Sequence, residues 1–111
     1  MSIASDALAK RIRVIVARRP EITEKKVIGG IGFMFGGNLA VATNTRGELL
    51  VRIDPAKAAS ALARPGAFQA MMGQREMTGY VGVTPDIVDD PDELKAWIRY
   101  AIDYVRTLPR K

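Results

Sequence analysis

The chain has 111 residues, of which 48% are hydrophobic and 26% are charged, and these proportions fit one globular domain rather than a disordered segment. It contains no cysteine and no histidine, which removes disulfides, thiolate nucleophiles, Ser-His triads and the usual zinc ligands. The formal net charge of +5 leaves nucleic-acid binding open as a function.

Targeting signals are not evident in the sequence. No apolar run is long enough to cross a membrane, and the first residues lack the apolar core of a signal peptide. The absence of cysteine gives no support to secretion. We therefore expect a cytoplasmic protein without a membrane partner.

The first predicted element is an amphipathic helix over residues 4–18, because apolar residues recur there at helical spacing. Ser2 or Ser5 is predicted to cap its start, and Pro20 to end it. The stripe predicted to face the core consists of Ala4, Leu8, Ile12, Ile15 and Val16.

The middle of the chain alternates apolar with small or polar residues at a period of two, which predicts an antiparallel meander of about five strands. Gly36-Gly37-Asn38 and Thr45-Arg46-Gly47 are predicted turns. Residues 56–63 are predicted to form a short Ala-rich helix, and residues 79–84 a further strand. Three methionines between them are predicted to fill the core, namely Met71, Met72 and Met77.

A second long helix is predicted from Asp90 onward. Asp90 fits the N-cap, Pro91 the first helical position, and Glu93 the third residue of a capping box. The predicted buried stripe is Leu94, Ile98, Ala101, Val105 and Leu108, and Pro109 ends the helix. Together these elements predict a single α+β domain over residues 1–111, with long N- and C-terminal helices and a short middle helix.

The glycine-rich stretch KKVIGGIGFMFGGN invites comparison with a phosphate-binding loop. A dinucleotide fingerprint needs a helix directly after its glycines, and a Walker loop needs GxxxxGK[ST]. Here alternating strand residues follow instead. We therefore predict a β-bulge or sharp bend at Gly29-Gly30 and a turn at Gly36-Gly37, with no cofactor.

An acidic cluster is the second candidate site, in this case for a metal ion. It comprises Asp86, Asp89, Asp90, Asp92 and Glu93. The order of ligands and the central glycine of an EF-hand are absent, and helix capping accounts for the last three residues. We predict no metal site.

The period-two pattern divides the sheet into two faces. The face predicted to meet the helices holds Ile31, Phe33, Phe35, Leu39, Val41, Leu49, Val51, Ile53, Val81 and Val83. The opposite face holds Gly32, Met34, Ala40, Ala42, Leu50, Arg52, Tyr80 and Gly82.

Two interpretations of that opposite face are open: the helix at 56–63 covers it, or it binds a partner. The candidate partner-binding residues are Met34, Ala40, Ala42, Arg52 and Tyr80. Arg52 is a forked donor and Tyr80 an amphipathic ring. For Arg52, an ion pair with Asp54 or Glu48 is the favoured structural alternative.

Basic residues near the N-terminus are the candidates for nucleic-acid binding. They are Lys10, Arg11, Arg13 and Arg18. Lys25 and Lys26 alternate in a strand and so cannot join one patch. Only 6% of residues are aromatic, which disfavours base stacking. We expect at most weak, sequence-independent contact with phosphates.

The order and spacing of several motifs carry a family resemblance: TEKKVIGGIGFMFGGN, ELLVRIDP, ALARPGA, MTGYVGV and LKAWIRYAIDYVRTLPRK. From about Ile12 to its end, the chain resembles the TfoX N-terminal domain family (TfoX/Sxy). It departs from the family pattern at Gln74-Arg75-Glu76-Met77, where Glu76 replaces a proline, and at Val27-Ile28.

The resemblance implies a role related to competence and transcription regulation, and it supplies no catalytic residues. Regulators of this family carry a second domain, and because the chain ends at Lys111 we expect a short single-domain member. Three functions remain open. The first is a non-enzymatic module that binds a protein partner or self-associates. The second is a weak nucleic-acid binder, and the third is an enzyme or anion-binding protein using Arg52 and Tyr80.

Overall fold

The computed structural model describes residues 2–111, which form a six-stranded antiparallel sheet and four α-helices. The helices are α1 (Ile3–Val16), α2 (Ala58–Leu62), α3 (Pro85–Val88) and α4 (Pro91–Val105), and a 3-10 turn (Pro55–Lys57) precedes α2. The strands are β1 (Ile22–Val27), β2 (Gly30–Phe35), β3 (Asn38–Thr43), β4 (Leu49–Arg52), β5 (Ala67–Met72) and β6 (Arg75–Val83). The predicted α+β class is confirmed, with six strands rather than about five.

The sheet has the order β1-β2-β3-β4-β6-β5, and its core lies on one side. α1 contacts β2 and β3, α4 contacts β3 and β4, and α2 contacts β5 and β6. Ala61 of α2, Val88 of α3 and Trp97 of α4 belong to the same buried cluster as the inward strand residues Phe33 and Val51. The molecule is therefore a two-layer structure with its helices on one face of the sheet.

A buried hydrogen-bond network joins α1 to the sheet. The Ser5 and Thr43 hydroxyls lie 2.6 Å apart, and Thr43 Oγ1 also accepts from the Ile31 amide at 3.0 Å. Ser2 caps the helix by accepting from the Ser5 amide at 3.0 Å. The predicted core position of Ala4 is wrong, because Ala4 is exposed and Ser5 takes the inward position, where its hydroxyl has a partner.

Two tight hairpins account for the glycine-rich stretch. Val27 pairs with Gly30, so the sharp bend predicted at Gly29-Gly30 is a two-residue turn through Ile28-Gly29. Gly36 and Gly37 connect β2 to β3 with φ values of 57° and 83°. Positive φ at both central residues is the type I′ turn that matches the twist of the strands, which explains two adjacent glycines.

A β-bulge in β3 changes which residues face the helices. Phe33 pairs with Val41 and Met34 pairs with Leu39, so Ala40 is an extra residue without a partner in the ladder. Ala40 joins the buried core cluster. The predicted faces of Leu39 and Ala40 are therefore wrong. The extra residue shifts the alternation, so Leu39 lies on the face opposite the helices and Ala40 on the helix side.

The Met-rich stretch is a β-hairpin rather than core filling. β5 pairs with β6 through a turn at Gly73-Gln74. Met71 and Met72 are 49% and 64% exposed, so their predicted core role is wrong.

The start of α4 largely follows the prediction. The Asp90 carboxylate accepts from the Asp92 amide at 2.9 Å, and Pro91 is the first helical residue. The predicted capping box is not formed, because the Asp90 amide donates to the Ile87 carbonyl rather than to Glu93. Leu94, Ile98, Ala101 and Val105 are buried as predicted, and Leu108 is half-buried beyond the end of the helix.

Within residues 2–111, none of the helices has the length and apolar character needed to cross a membrane.

Candidate interaction surface

The sheet face opposite the helices is built from one continuous row of residues across five strands. Gly32 lies opposite Ala42, Ala42 opposite Leu50, Leu50 opposite Gly82, and Gly82 opposite Phe68. A second row alongside it contains Met34, Leu39, Arg52 and Tyr80. Thr23 and Lys25 of β1 continue the rows, because they lie opposite Met34 and Gly32. We call these rows together the open sheet face.

Glycines in the row let larger neighbours lie flat on the sheet. A Cβ added at Gly82 would be 2.3 Å from Cζ of Phe68, so the ring lies over that glycine. A Cβ at Gly32 would be 2.9 Å from Cδ1 of Leu39. The surface is consequently made of half-buried apolar side chains over a floor of small residues.

The short middle helix does not cover this face, so the interpretation in which residues 56–63 cover it is wrong. Ala61 of α2 is buried in the core cluster on the helix side. The Arg64 guanidinium, just after α2, lies 3.9 Å from the centroid of the Trp97 ring in α4. α2 therefore lies on the helix side of the sheet, and within residues 2–111 no helix lies on the open sheet face.

Arg52 stacks on an aromatic ring instead of forming an ion pair. Its guanidinium carbon lies 5.6 Å from the centroid of the Tyr80 ring, directly across the β4–β6 ladder. The favoured ion pair is wrong, because Glu48 pairs with Arg46 at 3.2 Å and Asp54 accepts from the Ala56 amide at 2.9 Å. A cation–π contact of this kind contributes about 0.5–1 kcal/mol and leaves the guanidinium donors free.

Four of the five residues predicted from the sequence share the open sheet face: Met34, Ala42, Arg52 and Tyr80. Ala40 does not, because of the bulge. Phe68 belongs to the face but was missed, since β5 was not predicted. The signal that could have found it is the alternation of Phe68, Gln69 and Ala70 before the Gly73 turn.

Two of the basic residues predicted to contact nucleic acid, Arg11 and Arg13, have acidic partners on different elements. Arg13 makes a two-bond ion pair with Glu24 of β1, at 2.7 and 2.8 Å. Arg11 turns toward Asp89, 3.9 Å away, and donates to its carbonyl at 3.2 Å. Lys10 and Arg18 are exposed. Two of the four candidates thus contact acidic residues in different parts of the fold, and nucleic-acid binding by the four stays a prediction.

Arg13 and Glu24 shift each other's pKa. The hydrogen bond from Arg13 lowers the pKa of the Glu24 carboxyl, against a smaller opposing effect of burial. The same bond raises the pKa of Arg13. Both side chains are roughly half exposed, so the pair is open to screening by salt.

The acidic cluster has local structural partners. Asp90 caps α4 and Asp89 lies beside Arg11. In the part of the chain that the structure describes, residues 2–111, no group of carboxylates converges in a way that could hold a metal ion.

The fold and its uncovered face define a small two-layer α+β domain that presents one sheet surface outward. Comparison with protein families gives the same assignment as the sequence motifs. The family model for the TfoX N-terminal domain matches residues 15–105, and the chain belongs to that family. No curated protein and no solved structure was found that matches the chain.

Proposed function

We propose that this domain is a cytoplasmic, non-enzymatic regulatory module that binds a protein partner through the open sheet face. The observation that carries the proposal is a six-stranded sheet packed against helices on one side and uncovered on the other within residues 2–111. Membership of the TfoX N-terminal domain family supports a competence-regulator-like module.

The size of the face suits a protein partner. Six strands spaced about 4.8 Å apart span about 24 Å, and six residues along a strand span about 20 Å. The flat area is thus about 500 Å², and side-chain relief adds to it. A standard interface buries about 800 Å² per partner, so the face is of the right order.

The composition of the face resembles that of an interface. Leu39, Leu50 and Phe68 supply an apolar centre, and Thr23 and Lys25 of β1 supply a polar edge. The stacked Arg52 and Tyr80 are the residue types most often found to dominate binding energy. A partner that buries this pair can pack against the Tyr80 ring and accept hydrogen bonds from the Arg52 guanidinium, which the ring already orients.

Nucleic-acid binding is the weaker candidate. The net charge of +5 favours it, but Arg11 and Arg13 are directed apart by their acidic partners. An anion-binding or enzymatic use of Arg52 and Tyr80 also remains a prediction, and both residues lie on an open surface rather than within the helix layer.

Affinity capture from native cell extract tests the proposal, with the wild type beside two variants that carry the same change on opposite sides of the domain. Leu50→Glu places a carboxylate in the centre of the open sheet face, and Ala59→Glu places one on the exposed surface of α2, away from that face. Each variant is first checked for folding by circular dichroism.

We expect a protein that the wild type and Ala59→Glu retain equally and that Leu50→Glu retains at least about tenfold less. Its retention should be unchanged by nuclease treatment. Retention that is equal for all three chains, or that disappears with nuclease, contradicts the proposal.

A further inference from the structure

The outer surface of α1 carries apolar residues that the core does not use. Ile3 and Val14 are 89% and 75% exposed. With Ala7 and Lys10, which are also exposed, they form a line at spacings of four, three and four residues. That spacing is the one by which one helix presents a seam to another.

Val14 also lines a groove between α1 and α4 with a volume of about 630 Å³. Apolar side chains from both helices contribute to the groove, namely Val14, Ile15, Ala96 and Ile98. The charged residues that line it are Arg19, Lys95, Arg99 and Asp92. The groove thus combines an apolar strip with three cations and one carboxylate.

The cations at the groove are not engaged by acidic partners. The three ion pairs among residues 2–111 use Arg11, Arg13 and Arg46. Arg19, Lys95 and Arg99 are absent from these pairs, so the local excess of positive charge is uncompensated. A ligand that brings carboxylates therefore gains attraction without first breaking an ion pair.

We propose that this groove binds an acidic amphipathic helix of a partner protein. Its apolar residues would lie over Val14 and Ile15, as in other helix-in-groove complexes. Lys95 and Arg99 are one turn apart on α4, so carboxylates one turn apart on the ligand helix match them. A second copy of this chain is disfavoured, because each copy carries a net charge of +5.

Nucleic acid would use the cations but not the apolar strip, whereas an acidic amphipathic helix uses both. The groove is in the helix layer and the open sheet face is on the other side of the sheet. The inference is therefore independent of the function proposed above, and either can fail alone.

The test is the binding of a labelled synthetic peptide of about 18 residues, five helical turns, with leucines on one face and glutamates on the other. A matched peptide has lysine in place of each glutamate, and a random DNA duplex is the third probe. Binding is measured by fluorescence anisotropy at low and high salt.

The variants separate the groove from general charge. Lys95→Glu with Arg99→Glu reverses two groove cations, and Val14→Glu alters the apolar strip. Lys26→Glu with Arg75→Glu is the control, because both side chains are exposed, unpaired in the described residues and outside the groove, and the change in net charge is the same. Circular dichroism verifies that each variant is folded.

We expect the acidic peptide to bind the wild type and the control equally. Binding to either groove variant should be at least about tenfold weaker, and high salt should also weaken it. The lysine peptide should not bind. The inference is overturned if the acidic peptide does not bind, if the control weakens binding as much as the groove variants, or if the duplex binds at the groove more tightly than the peptide.

Discussion

Thr43 illustrates how one polar side chain fixes several parts of this fold. Its hydroxyl contacts Ser5 of α1 and accepts from the Ile31 amide of β2. Gly30 lies so close that an added Cβ would be 2.1 Å from the Thr43 carbonyl oxygen. A close approach of this kind is available only to glycine, so Gly30 has a packing role that its neighbours in the turn do not share.

The Ser5–Thr43 contact explains why the sequence did not predict that Ser5, rather than Ala4, faces the core. Helical periodicity places both Ala4 and Ser5 near the inward side of α1, and hydrophobicity alone favours Ala4. The deciding partner lies 38 residues away in the sequence, and no local pattern shows it. The Ser2 cap, in contrast, needs only the amide of Ser5 and was among the predicted alternatives.

Glu24 gives a prediction about the pH dependence of stability. Arg13 lowers the pKa of Glu24 in the folded protein, so the stabilisation is present above the unfolded pKa of about 4.3 and is lost as pH falls through the folded value. Glu24→Gln should therefore lower the free energy of unfolding near neutral pH, and the difference from wild type should shrink as the pH falls below about 4.3. Urea denaturation at about pH 7 and about pH 3 measures it.

Glu21→Gln is the matched control for that measurement, because Glu21 is an exposed glutamate three residues earlier and outside the three ion pairs of the described residues. It should leave the unfolding free energy almost unchanged at both pH values. A destabilisation by Glu24→Gln that is the same at both pH values contradicts the role of the ion pair.

At the scale of elements, the helices and turns with local chemical signals were predictable. Asp90-Pro91 marks the start of α4 because a capping carboxylate and a proline are both favoured there. Gly36-Gly37 marks a hairpin because two positive φ values are needed. β5 was missed because its hairpin partner, β6, was predicted to start at Gly79 rather than at Arg75.

The bulge at Ala40 gives a prediction at the same scale. Ala40 lies in the core and Ala42 on the open sheet face, although both belong to β3. Ala40→Leu should destabilise the domain by about 1–3 kcal/mol, because the added methylenes must enter a packed interior. Ala42 is only 2% exposed, but it lies outside the core cluster, and the side chains of the open sheet face can move outward. Ala42→Leu should therefore cost less. Urea denaturation of the two variants is the measurement, and equal or reversed losses contradict the bulge.

For the whole molecule, alternation along the strands predicted that the sheet has two unlike faces, and this prediction is confirmed for most positions. The alternation pattern could not predict on which side of the sheet α2 lies, because the segment between β4 and β5 is long enough to pass over either face. Arg64 stacked on Trp97 and Ala61 buried in the core cluster place α2 with the other helices. That placement leaves the opposite face uncovered, and the proposed function depends on it.

Hydroxyl-radical footprinting of the domain, alone and bound to the protein captured from extract, tests the proposed role of the open sheet face most directly. Met34 and Tyr80 report on that face, and Tyr104 of α4 reports on the helix layer. We predict that Met34 and Tyr80 are oxidised more slowly in the complex while Tyr104 is oxidised at the same rate as in the free domain. Unchanged oxidation of Met34 and Tyr80, with Tyr104 protected instead, would contradict the account.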